Sequence, residues 1–211
     1  MQEATAVLRK EHDAILKMLG AAEEAARRLD AGESVKAETL KGLIEFFRLF
    51  ADQCHHGKEE DLLFPMLESH GLPRSGGPTG VMLHEHEQGR ALIKQMVEAV
   101  EACKRGEKAE ARWAQAARGY SELLRQHIHK ENNILFVMAE NMLTPEEQKQ
   151  LAVDFEKVEI EKMGVGTHER LHASMDKLVA ELAPQEIADS PKVPHASEPN
   201  FRQRRAGERF P

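Results

Sequence analysis

The chain has 211 residues, 41% of them hydrophobic, which suits one domain with a core and a tail. Its net charge of -7 argues against the basic face that a nucleic acid needs, and there is no run of about 18 apolar residues to span a membrane. With 31% charged and only 5% aromatic residues, and Ala, Leu, Glu and Lys abundant, the composition predicts an all-α fold. The start, MQEATAVLRKEHD, has no apolar signal core, and Cys54 and Cys103 are too few for a disulfide framework. A reducing cytoplasm is therefore the expected compartment.

Residues 3–30 predict helix 1, with Thr5, Leu8, His12, Ile15, Leu19, Ala22, Ala26 and Leu29 on one stripe. Asp30-Ala31-Gly32 ends it, and Ser34 is the expected N-cap of helix 2, which runs to about Ser69. Its inward stripe is Leu40, Ile44, Phe47, Ala51, His55, Glu59, Leu62 and Met66, and Pro65 should kink it or end its regular part. GLPRSGGPTG at 71–80 reads as a loop, with Thr79 capping helix 3 over about 80–104. Helix 3 turns Met82, His86, Gly89, Ile93, Val97 and Val100 inward. Helix 4, over about 107–142, turns Trp113, Ala117, Tyr120, Leu124, His127, Glu131, Ile134, Met138 and Met142 inward. Thr144-Pro145-Glu146-Glu147 starts helix 5, which runs to about Met163, and Thr167 is expected to cap a last helix through about Leu182. From 184 the chain is rich in Pro, Ser, Arg and Glu and poor in large apolar residues, which predicts a disordered tail. The expected organisation is an up-down-up-down four-helix bundle over 1–143, a helical extension over 144–183, and the tail over 184–211.

Two stretches align without a gap: HHGKEEDLLFPM at 55–66 and HIHKENNILFVM at 127–138. Each places a His four residues before a Glu, one turn apart on the same helix face. KEHDAILKML at 10–19 lines up with HEHEQGRALI at 84–93, so one helical hairpin is used twice. His12, His55 and Glu59 then belong to one half, and His86, His127 and Glu131 to the other. Imidazole with carboxylate suits iron, manganese or zinc, and we read the set as holding a pair of iron ions. Four His on matching stripes point to metal more strongly than one would. Two buried carboxylates facing each other without a cation would repel and cost several kcal/mol.

Helical register selects among adjacent candidates. His55 follows Ala51, Phe47 and Ile44, whereas His56 follows Asp52, Leu49 and Glu45, a largely wet face. The same test prefers Glu59 to Glu60, His86 to His84, and His127 to His129. His168 and His172 lie outside the repeat and read as packing or surface residues. Tyr120 reads as core, Gly89 as a site of close helix packing, and Cys54 as a buried thiol. Arg90 is equally suited to a buried carboxylate partner or to solvent.

The segments EHD at 11–13, HHGKEEDLLFP at 55–65, GPTGVMLHEHEQGR at 77–90 and HIHKENNILF at 127–136 resemble the hemerythrin-like (HHE cation-binding) domains, over about residues 5–143. The resemblance implies a four-helix bundle with a non-haem di-iron centre, its irons joined by an oxo or hydroxo bridge. It also implies roles in binding or sensing O2, in iron handling, or in responses to nitric oxide or peroxide, including iron–sulfur cluster repair. Oxygen-carrying hemerythrins have a His where this chain has Arg90, and a His-to-Asp spacing of five where it has His127 to Glu131. The chain looks closer to the bacterial stress-response and repair branch. The expected ligand is a small diatomic or peroxide, and the expected macromolecular partner is a second copy in a homodimer. Two functions compete: a redox module acting at the iron pair, and a non-catalytic iron reservoir or sensor signalling through the last two helices.

Overall fold

The computed structural model describes residues 3–183, which form six helices and, among the described residues, no strand. The disordered tail expected from 184 lies outside the described residues. The helices are α1 (Ala4–Asp30), α2 (37–69), α3 (Pro78–Lys104), α4 (110–142), α5 (Pro145–Met163) and α6 (Thr167–Leu182). Glycines at positive φ, Gly32 at 75° and Gly106 at 82°, follow the ends of α1 and α3, as the punctuation of the sequence predicts.

Three expected caps are replaced. Helix α2 begins at Ala37 with Lys36 at the N-cap position, not Ser34. Helix α3 begins at Pro78 behind Gly77, because proline at N1 needs no donor, and Thr79 is buried inside the first turn. Helix α6 begins at Thr167 behind Gly166, whose φ of 80° makes the entry turn. Thr144 does form the predicted capping box with Glu147, each side chain satisfying the other's backbone N–H. Thr144→Ala is expected to lower stability by about 1 kcal/mol in denaturant unfolding; an unchanged midpoint would show that α5 needs no cap.

Helix α1 packs on α2 and α4, α3 packs on the same two helices, and α5 and α6 lie against α1 and α2. The core falls into two clusters. One holds Ile15, Phe47, Ile93 and Trp113; the other holds Leu8, Leu63, Met82 and Leu135. Along α1 and α3 the chain passes from the second cluster to the first, and along α2 and α4 from the first to the second. The His and Glu of the repeat fall at the crossing between clusters in all four helices.

Two helices change winding at that level. Within α2, Phe47–His56 and Glu59–Leu63 are π-helical, and within α4, Glu131–Leu135 is π-helical. A π turn bonds i to i+5, so each turn takes up an extra residue and shifts every later side chain on the wheel. This overturns two register expectations. Ile134, expected inward, is 53% exposed while Leu135 is 1% exposed, and Leu63 and Leu67 are buried where Leu62 and Met66 are only half-buried. Pro65 does not cause the π turns, because Val137 holds the equivalent place in α4 after Glu131–Leu135. Nor does it end α2, which continues to Ser69.

Candidate metal centre

The structure brings His12, His55, Glu59, His86, His127 and Glu131 to one place, none more than 1% exposed. Each carboxylate faces both halves of the repeat. Glu59 Oε1 lies 3.6 Å from His55 Nε2 and its Oε2 lies 3.6 Å from His86 Nε2. Glu131 Oε1 lies 3.1 Å from His127 Nε2 and its Oε2 lies 3.1 Å from His12 Nε2. These atoms are close, yet Nε2 of His12 and His55 and all four carboxylate oxygens lack a hydrogen-bond partner among the described residues. Buried polar atoms are rarely left so. Of the six, only His86 and His127 meet each other in hydrogen-bond geometry, Nε2 to Nε2 at 3.1 Å; donors so crowded are suited to a shared cation, and the oxygens and imidazoles suit iron, manganese or zinc.

The opposite nitrogen of each ring is held. His55 Nδ1 bonds Glu11 at 2.8 Å and His127 Nδ1 bonds Glu85 at 2.9 Å. Lys58 and Lys130, at matching places, bond those two carboxylates in turn. His86 Nδ1 bonds Glu60 at 2.7 Å, and His12 Nδ1 bonds the Oδ1 of Asn132, which is the counterpart of Glu60, at 2.9 Å. A partner on the outer nitrogen fixes ring orientation and directs the inner nitrogen to the centre. The sequence reading missed this layer, although Glu11/Glu85 and Lys58/Lys130 stand at identical offsets in the two halves and carried the signal.

Electrostatics follow from burial. Burial and the neighbouring Glu131 push the Glu59 carboxyl well up, whereas His127 and His12 overcome burial and hold Glu131 down. Burial and the nearby His12 lower His55 to about 4, and burial with His56 lowers His86 to about 3. Both shifts favour the neutral ring, the form that can ligate a metal. Burial opposes ionisation of Glu11, but the bond from His55 and the charge of Lys58 outweigh it and hold the carboxyl at about 2.

His56 corrects the register argument. It is 2% exposed, not on a wet face, because the π turn through Phe47–His56 brings neighbouring residues closer on the wheel. His84 and His129 are exposed. Arg90 pairs with two half-buried carboxylates, donating to Asp52 at 2.8 Å and to Glu60 at 2.6 Å. His168 stacks on Phe50, with ring centroids 5.4 Å apart, and His172 meets the same ring edge-on. Tyr120 is fully buried, and a Cβ on Gly89 would meet its ring at 3.4 Å, an ordinary packing contact. Cys54 is buried, and burial raises its thiol to about 12, so no thiolate is offered.

Fold and site together define an all-helical protein with a buried histidine–carboxylate cluster that could hold metal. The model of the Hemerythrin HHE cation binding domain matches residues 3–139, and the chain belongs to that family. It is 27% identical over 158 residues to an uncharacterized protein of Mycobacterium tuberculosis, and equally to one of Mycobacterium bovis, covering 74% of this chain. It is 29% identical over 119 residues to the iron-sulfur cluster repair protein YtfE of Escherichia coli, covering 54% of this chain. The matches span 61% of the mycobacterial relatives' length and 54% of the YtfE length. No solved structure matches. No described helix is long and apolar enough to cross a membrane.

Proposed function

We propose that the chain is a non-haem di-iron protein, built as an up-down-up-down bundle over 1–143 with a helical extension over 144–183, that binds or reduces a small oxidant: O2, nitric oxide or peroxide. The observation that supports it most is the set of buried donors without partners, each carboxylate facing an imidazole of both halves. In this reading His12, His55, His86 and His127 would be terminal ligands, and Glu59 and Glu131 would be held in common by the two ions. Iron held there supplies one-electron chemistry and open positions for a small ligand. The protein's own part is to orient the rings through Glu11, Glu60, Glu85 and Asn132, and to keep water out by burial.

A second reading, iron handling or iron–sulfur cluster repair without turnover of an oxidant, draws support from the likeness to YtfE. Metal analysis and an ultraviolet–visible spectrum of the purified protein test the common ground: about two irons per chain are expected, as in other carboxylate-bridged bundles. Catalytic consumption of peroxide or nitric oxide by the loaded protein favours the first reading, and stoichiometric binding favours the second. A chain that takes up no iron under anaerobic reconstitution overturns both.

A further inference from the structure

Among the aligned positions where the two halves of the repeat differ, three change together from apolar to polar. His56, Asp52 and Arg90 in one half stand where Ile128, Leu124 and Leu16 stand in the other. An apolar trio has become a polar one, and the three polar residues lie together. Arg90 Nε donates to Asp52 Oδ1 at 2.8 Å, and that oxygen lies 3.5 Å from His56 Nδ1. The same guanidinium donates to Glu60 at 2.6 Å, the carboxylate behind His86. One cation therefore holds the acids behind two imidazoles.

His56 is 2% exposed, and neither of its nitrogens has a hydrogen-bond partner among the described residues. Its ring stacks on His86, centroids 3.8 Å apart and planes 12° from parallel. Packing alone does not call for a histidine here, since Ile128 fills the matching place and is 3% exposed. A buried, unbonded imidazole carries a desolvation cost that a ligand role would offset. Donor atoms of His56, Glu59, His86 and His127 all lie within 4.8 Å of one another, while the second group is His12, His55, Glu59 and Glu131.

We infer that His56 is a third imidazole donor to the ion beside His86 and His127, so that the two positions of the centre are chemically unequal. This rests on the di-iron reading above. One ion then has three imidazoles and the other two, with Glu59 in both groups. Asp52 and Arg90 act as positioning residues for His56.

The full chain is stripped of metal and titrated anaerobically with ferrous ion, with binding followed by chelator competition and by Mössbauer spectroscopy of the iron-57 form. Wild type should bind two ions with two resolved quadrupole doublets. His56→Ile copies the other half, and His56→Phe keeps a flat ring on His86 without a donor. In both, the second ion should be weakened by more than about 100-fold, the upper end of what losing an outer partner costs, and one doublet should be lost. Asp52→Asn should weaken the same ion by about 10–100-fold. Either His56 variant, folded and binding two ions as wild type does, overturns the inference alone. So does a wild-type spectrum with one unsplit doublet. A wild type that binds no ferrous ion overturns the functional reading as well.

Discussion

A chain carrying both Glu59→Ala and Glu131→Ala is expected to take up almost no metal while keeping its helices. Both carboxylates are fully buried, and each has one oxygen facing an imidazole of either half. Without them only the imidazoles remain, and nothing joins two cations or offsets their mutual repulsion. Losing even an outer partner of a ligand weakens metal binding by about 10–100-fold, so losing both central acids should exceed that on each ion. The isosteric pair Glu59→Gln with Glu131→Gln separates charge from shape: it fills the same volume and should also fail to load. Metal content per chain after anaerobic reconstitution, with circular dichroism to check the helices, reads the outcome. Wild-type loading in either double variant would refute the ligand assignment.

The helices were legible because their signals are local. The apolar spacing of α1, the proline and glycine punctuation around 71–80, and the Thr144–Glu147 box each act within one turn. The convergence of His12, His55, His86 and His127 was legible because the repeat states it twice. The register errors share one cause. A wheel drawn at α-helical period places His56 outward and Leu62 and Ile134 inward, and π winding at 47–56, 59–63 and 131–135 shifts all three. No single residue announces that winding, since Pro65 follows it in one half and Val137 in the other. The outer layer was missed for a different reason. Glu11, Glu60 and Glu85 look like ordinary charges on a wet face until neighbouring helices cover them.

Lys58 and Lys130 occupy matching places in the repeat, yet their removal is expected to have very different effects. Lys58 is 1% exposed and contacts Glu11, itself 7% exposed, as well as Glu159 of α5 at 3.1 Å. Helix α5 covers this half, so the ion pair sits away from water. Lys58→Met keeps the length and packing of the stem and removes the charge, leaving the Glu11 carboxylate buried beside His55. Breaking a buried pair from one side costs about 3–5 kcal/mol. Lys130 is 34% exposed, and its partner Glu85 is 14% exposed, so solvent screens the pair. Lys130→Met should cost only about 0.2–1 kcal/mol. Urea unfolding of the two metal-free variants beside wild type measures both effects on one scale. Equal losses would mean that burial does not set the strength of these contacts. A larger loss in Lys130→Met would mean that the half left open to solvent, not the half under α5, carries the structural weight.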